Sequence, residues 1–191
     1  MIMNVALDQL APGFLIAAPT LNDPNFSRTV VLMCMHNDEG ALGLVINRPA
    51  PLTMLEILAQ LDLPNDGVRD KAAMVGGPVA VESGMLLYRC SAQDEVREDE
   101  IVVSPELRLT PSSELLEEIA LGEGPDQHLM FLGHSGWGPG QLEEEISSGS
   151  WIPAGLDVDL IFSSPMESRW ELALATEGIS IMGLGAFRPQ A

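Results

Sequence analysis

The stretch that decides the fold is TVVLMCMHNDEGALGLVINRP, residues 29–49. Its first part, residues 29–35, is a run of β-branched and other apolar residues, which is typical of a strand buried on both faces of a sheet. Residues 37–40 carry the polar side chains and the glycine of a hairpin loop, and residues 41–49 form a second apolar run. The pattern therefore predicts a β-hairpin at the centre of a sheet.

Short strands and amphipathic helices flank this hairpin along the chain. Further strands are expected at residues 14–18, at 72–89 on both sides of the turn Gly76-Gly77-Pro78, and at 128–132, 151–154 and 160–162. Helices are expected after the capping boxes Thr53–Glu56 and Ser164–Glu167, after Thr110-Pro111, and after residues 133–140. Because no βαβ regularity and no internal repeat connects these elements, residues 1–191 are predicted to form a single α+β domain.

Charge and composition exclude several classes of protein. The chain has 9 lysines and arginines against 28 aspartates and glutamates, a formal net charge of −19. Such a surface repels phosphate backbones, so we expect no direct binding to nucleic acid. No apolar run approaches the ~20 residues of a membrane span, and the first ten residues lack the pattern of a signal peptide. We therefore expect a cytoplasmic protein without a membrane segment.

The cysteines and the acidic middle of the chain offer little chemistry. Cys34 and Cys90 are too few for a disulfide framework or a zinc cage; we expect two reduced core thiols, with one Cys34–Cys90 bridge as the alternative. Cys34 and His36 share a strand face but lack a third ligand, so no metal or cofactor is expected. Much of residues 82–126 is interpreted as a solvated acidic face.

The glycine-rich segment GHSGWGPG, residues 133–140, is the sharpest candidate for catalysis. A strand, a sharp turn with the central Ser135 and a following helix are similar to the nucleophile elbow of α/β hydrolases. The elbow, however, needs glycine two residues after the serine, where Trp137 stands, and a histidine later in the chain, whereas the last histidine is His134. A hydrolase-like enzyme that uses this loop is therefore the alternative interpretation.

The same segment is also a candidate binding surface. Glycines around Trp137 predict either an exposed aromatic platform, with His134, Ser135 and Gln141 beside it, or a core tryptophan where chains approach closely. The sequence is compatible with both interpretations.

A second candidate set consists of Arg28, Asn47 and Arg48. The two arginines are expected at opposite ends of the hairpin unless its strands are staggered, and each is expected to pair with a carboxylate rather than with an anionic ligand.

Four motifs occur in a fixed order: DPNFSRTVVLM at 23–33, GALGLVINRP at 40–49, VGGPV at 75–79 and GWGPGQLEEEI at 136–146. On these motifs the sequence resembles the bacterial YqgE/AlgH family over residues 13–178. The resemblance implies one α+β domain whose mixed, bifurcated sheet is bent into a pseudo-barrel with flanking helices. It implies no established activity, although members are often labelled transcriptional regulators. Tyr88 stands where the family often carries a histidine, which argues against an acid–base or metal role at that position.

Together these observations favour a non-enzymatic protein. If it is a regulator, it is expected to act by binding a protein or a small ligand rather than by contacting DNA.

Overall fold

The computed structural model describes residues 9–182, which fold around one ten-stranded sheet. Its strands are β1 (Gly13–Ala17), β2 (Val30–Asn37), β3 (Gly40–Val45), β4 (Pro49–Thr53), β5 (Ala72–Val75), β6 (Val79–Arg89), β7 (Ile101–Ser104), β8 (Leu107–Thr110), β9 (His128–Trp137) and β10 (Trp151–Ala154). The helices are α1 (Met54–Gln60), α2 (Ser113–Ala120), α3 (Gln141–Ser147), α4 (Val158–Phe162) and α5 (Arg169–Thr176), with a 3-10 turn at Met166–Ser168 before α5.

The predicted hairpin is confirmed as the pair β2–β3 at the centre of the sheet. The strands are antiparallel with Val31 opposite Val45, and residues 30–33 are fully buried. The second strand is shorter than expected, because the chain bends after Val45 and begins the separate strand β4 at Pro49. Strand β4 lies antiparallel to β5, with Pro49 opposite Met74.

The long strand β9 is the point where the sheet branches. Its C-terminal part borders β3, with Ala41 opposite Trp137, whereas its N-terminal part runs parallel to β5, with Met74 opposite Phe131. Strand β6 lies on the other side of β9, antiparallel to it. The sheet is therefore mixed and bifurcated, as the resemblance implies.

The sheet is bent without closing into a barrel. Its strand order is β10-β1-β2-β3-β9-β6-β8-β7, with β4 and β5 off this path. Val103 of β7 nevertheless packs in the same apolar cluster as Cys34 of β2, although these strands are not paired. That cluster also holds Trp170 and Leu174 of α5, so the bent sheet wraps around the C-terminal helices. This is a single α+β domain.

Two predictions about the C-terminal third are wrong. Residues 160–162 belong to helix α4 rather than to a strand, because Asp157 caps that helix by accepting from the N–H groups of Asp159 and Leu160. The expected Ser164–Glu167 capping box does not form, since the Ser164 hydroxyl donates back to the carbonyl of Leu160. The α-helix therefore starts later, at Arg169.

The acidic stretch at residues 82–126 is more structured than a solvated face. It contains the hairpin β7–β8, in which Leu107 and Leu109 are fully buried. Ser112, rather than Thr110-Pro111, caps α2 by accepting from the N–H of Leu115. By contrast, the Thr53–Glu56 capping box of α1 is confirmed, with both reciprocal hydrogen bonds present.

Helices α1 and α2 pack on β6 and β9 in a second apolar cluster, which includes Leu58, Leu86, Leu116 and Met130. Within residues 9–182, none of the helices combines the length and the apolar character that crossing a bilayer requires.

Candidate functional site

The glycine-rich segment does not form a nucleophile elbow. Residues 133–137 continue strand β9, and only residues 138–140 form the turn before α3. The Ser135 side chain is fully buried, and its Oγ donates to the carbonyl of Gly76 at 3.0 Å. A Cβ at Gly77 would overlap the backbone of His134, so glycine allows two chain segments to approach closely there. A buried and hydrogen-bonded serine gives the hydrolase interpretation no support.

Trp137 is a core residue, and the interpretation of an open aromatic platform is wrong. Its side chain is only 6% exposed and lies with Phe26 and Trp151 at centroid distances of 6.1 Å each. Glu145 of helix α3 binds both tryptophans. Its Oε2 accepts from the indole N–H of Trp137 at 3.0 Å and from the indole N–H of Trp151 at 2.8 Å.

Gln141 contributes to this structural arrangement. Its Oε1 accepts from the N–H of Gly138 at 3.0 Å, and its Nε2 donates to Glu145 Oε1 at 2.9 Å. The neighbouring His134 is half-buried on β9, opposite Val79 of β6.

Arg28, Asn47 and Arg48 lie at the same end of the hairpin rather than at opposite ends. In an antiparallel pair with Val31 opposite Val45, residue 28 falls opposite residue 48. Asn47 links the two strands: its Oδ1 accepts from the N–H of Val30, and its Nδ2 donates to the carbonyl of Arg28, both at 2.9 Å.

Among the described side chains, Arg28 has a carboxylate partner and Arg48 has none. Arg28 reaches Glu171 at 3.4 Å and lies 4.6 Å from the centroid of the Trp170 ring. Arg48 instead donates to the carbonyls of Pro24 and Ser27 at 3.0 and 3.1 Å, which fastens the loop between β1 and β2. Arg48 therefore supports the loop, whereas the side chain of Arg28 contacts α5.

The cysteines are both free thiols, and only Cys34 lies in the core as expected. Burial raises the pKa of Cys34 to about 12, so it carries almost no thiolate at neutral pH. Cys90 is partly exposed and burial also raises its pKa. Among residues 9–182, no three His, Cys, Asp or Glu side chains are grouped so that they could hold a metal ion.

An apolar groove lies between α1 and α2, and its lining includes none of the candidate site residues that the sequence analysis named. We call it the α1–α2 groove. It encloses about 510 Å³, and its lining comprises Leu52, Ile57, Gln60, Leu61, Val81, Glu82, Gly84, Leu86, Thr110, Pro111, Ser112, Ser113, Leu116, Met130 and Leu132. Leu61 and Val81 are 56% and 54% exposed at its rim. An open apolar groove with a few polar groups is the usual form of a binding site.

One edge of strand β6 is unpaired beside this groove. Strand β8 borders β6 only from Leu86 to Arg89, because the chain turns away into α2 after Thr110. Within the described residues, no strand borders β6 on that side from Val79 to Met85. The segment bulges from the sheet: Val79 lies opposite His134 of β9 and Gly84 opposite Leu132, and residues 79–84 are exposed.

Carboxylates lie in the groove and in a neighbouring depression at the start of α2, which also contains Arg97, itself paired with Glu100 and Glu118. Glu82 lines the groove itself, and Glu98, Asp99 and Glu114 line a neighbouring depression that shares residues 111–113 with it. Within residues 9–182 these four acids have no ion pair with a basic side chain. The groove therefore combines apolar walls, a free strand edge and a negative rim.

Sequence reasoning missed this groove because its residues come from four separate stretches of the chain, within 52–61, 81–86, 110–116 and 130–132. The one local signal is the sequence VAVESG at 79–84, in which two valines typical of a strand turn out to be exposed in the structure.

Similarity to known proteins covers nearly the whole chain. An AlgH-like family model matches residues 14–182. A UPF0301 protein of Methylococcus capsulatus is 43% identical, covering 94% of this chain and 95% of that protein. A UPF0301 protein of Anaeromyxobacter dehalogenans is 42% identical, covering 91% of both.

Solved structures share the fold. The solution structure of the AlgH protein from Pseudomonas aeruginosa matches with a TM-score of 0.77 and 36% identity, covering 95% of this chain and 96% of that one. A crystal structure of a Corynebacterium diphtheriae protein shares the fold alone, with a TM-score of 0.72 at 22% identity and coverage of 87% and 86%. Sequence and structure together place this chain in the AlgH-like family.

Proposed function

We propose that the protein is a non-catalytic cytoplasmic regulator that binds an extended segment of a partner protein in the α1–α2 groove, without contacting DNA. The observation that carries this proposal is the unpaired edge of β6, from Val81 to Met85 beyond the left-handed Ala80, beside an apolar groove. The two free cysteines are consistent with a reducing compartment.

The free strand edge favours an extended peptide over a compact ligand. An unpaired edge presents N–H and C=O groups that an added strand satisfies, and pockets for alternate side chains then supply specificity. Leu61 and Val81 at the rim provide apolar contacts for such side chains. A small ligand would use the apolar walls but leave the strand edge unpaired.

The charge of the rim selects the kind of segment. Glu82, Glu98, Asp99 and Glu114 lie within or beside the groove in a chain of net charge −19. Complementary charges steer association and exclude partners of like charge. The partner segment therefore alternates apolar residues with lysine or arginine.

Fluorescence anisotropy with labelled synthetic peptides tests this proposal. The peptides have about ten residues, enough to span an average strand, and alternate valine with either lysine or glutamate. We expect the lysine peptide to bind with micromolar affinity that weakens with salt, and the glutamate peptide to bind at least about tenfold more weakly.

Matched variants locate the site. Leu61→Gln and Val81→Gln remove apolar contacts and should each weaken binding of the lysine peptide about tenfold. Leu172→Gln, at an exposed leucine of α5 outside the groove, should leave it unchanged. Equal binding by all three variants, or absence of binding to the wild type, contradicts the proposal. Concentration-dependent dimerisation that Val81→Gln abolishes would instead assign the edge to a second copy of this chain.

A further inference from the structure

A second cavity lies at the opposite end of α2 from the acidic rim, and we call it the cationic cavity. It has a volume of about 390 Å³ and is lined by Arg69, Lys71, His128 and Asp126, together with the backbone at Gly67 and Gly122. Both glycines have positive φ, +88° and +75°, and a Cβ at either would meet open space. Side chains therefore leave the main chain uncovered along this part of the wall.

The two basic residues of this cavity are unusual in an acidic chain. Arg28, Arg89 and Arg97 each pair with carboxylates, and Arg48, Arg108 and Arg169 donate to backbone carbonyls. Arg69 and Lys71 make neither kind of contact within residues 9–182, although the chain has 28 acidic side chains. Two uncompensated cations thus face one cavity.

His128 also lines the cavity, as a neutral imidazole at neutral pH, so the positive charge of the site comes from Arg69 and Lys71. The Nδ1 of His128 lies 2.7 Å from the carbonyl of Pro125, which only accepts, so Nδ1 carries a proton and Nε2 is left for another partner. Burial lowers the pKa of His128; the hydrogen bond to Pro125 opposes this shift, and the charge of Lys71 adds a smaller lowering. Asp126 is the one carboxylate in the lining, and it opposes an anion there.

We propose that the cationic cavity binds a small anion of the phosphate class, such as pyrophosphate or a phosphate monoester. The guanidinium of Arg69 supplies a planar pair of donors suited to two phosphate oxygens, and Lys71 supplies a compact charge. The N–H of Gly122 is already donated to the carbonyl of Ile119, so Arg69 and Lys71 supply the donors that recognise the anion. This site is separate from the α1–α2 groove, so it stands or falls independently of peptide binding.

Isothermal titration calorimetry with sodium pyrophosphate at low salt tests the site. We expect saturable binding by the wild type, and Arg69→Gln and Lys71→Gln should each weaken it about tenfold, as expected for the loss of one charge-assisted hydrogen bond. Lys71→Arg should retain most of the affinity. Arg28→Gln, at an exposed arginine outside the cavity, is the matched control and should bind like the wild type.

Competing anions identify the ligand class. Inorganic phosphate and phosphoserine should compete with pyrophosphate, whereas citrate at equal ionic strength should not. The nuclear magnetic resonance signals of the His128 ring should move on titration, and thermal midpoints of the variants should match the wild type, because Arg69 and Lys71 are exposed. Citrate competing as well as phosphate, or equal binding by Arg69→Gln, Lys71→Gln and wild type, overturns the proposal.

Discussion

Glu145 links Trp137 and Trp151, the two tryptophans that pack with Phe26. One carboxylate oxygen accepts from the indole N–H groups of both Trp137 and Trp151, and the other accepts from Gln141. Both tryptophans are buried, so neither N–H has water as an alternative partner. A single side chain of α3 thereby satisfies donors from strands β9 and β10 and holds the helix against the sheet.

We expect Glu145→Ala to lower the free energy of unfolding by about 2–4 kcal/mol, because two buried donors lose their acceptor. Glu144→Ala is the matched control: Glu144 is the exposed neighbour on the same helix and should cost less than about 0.5 kcal/mol. Urea denaturation of the two variants measures the difference. Equal stabilities would mean that the indole groups find other partners.

The residue types of this cluster were visible in the sequence, but their roles were not. Trp137 was as compatible with a platform as with the core, because the segment that buries it, α3, begins after a turn whose direction no local pattern specifies. Arg48 was expected to face a carboxylate, yet two carbonyls of the preceding loop hold it. Contacts between segments that are distant in the sequence determine the positions of both side chains, and the hydrophobic periodicity of a sequence does not reveal such contacts.

Among the elements, β6 shows the most unusual backbone. Ala80 has φ of +49°, a left-handed conformation that side chains rarely adopt, and it lies within the bulge that separates β6 from regular pairing with β9. The bulge exposes residues 79–84 beside the α1–α2 groove. Ala80 interrupts the extended backbone, so the edge of β6 that an added strand would pair with begins at Val81.

Replacing Ala80 by glycine should therefore stabilise the protein. Removing the Cβ relieves about 1–2 kcal/mol of strain in the folded state. Glycine has greater freedom in the unfolded chain, which offsets this gain by about 0.5–1 kcal/mol. We expect a net gain of roughly 0.5–1 kcal/mol, which raises the thermal midpoint by about 2–3 °C. Ala59→Gly, at an exposed site in α1, should lower it instead. A lower midpoint for Ala80→Gly would show that this backbone is unstrained.

Strong local signals predicted the elements that they specify. The β2–β3 hairpin and the capped helix α1 follow from residues adjacent in the sequence, as do β1 and β10. The hairpin β7–β8 was hidden because charged residues surround it, and α4 was mistaken for a strand because five residues are too few to show a period. The family resemblance implied a branched sheet, but only the structure places the branch at β9.

At the scale of the whole molecule, acidic side chains far outnumber basic ones, and most of the described arginines bind a carboxylate or a main-chain carbonyl. The chain has 28 acidic side chains. Of the described basic residues, only Arg69 and Lys71 have neither a carboxylate nor a carbonyl partner, and Asp126 lines the same cavity. The surface thus offers a small anion a local site while repelling an extended polyanion.

This distribution predicts that the protein does not bind duplex DNA directly. Non-specific binders neutralise about 6–10 phosphates, whereas two adjacent cations neutralise about two. We expect no mobility shift of a generic duplex at micromolar protein in about 0.15 M salt. A basic DNA-binding protein serves as the positive control, and the Arg69→Gln/Lys71→Gln double variant should behave like the wild type. A shift that the double variant abolishes would mean that the cationic cavity contacts the phosphate backbone, and any regulation would then be direct.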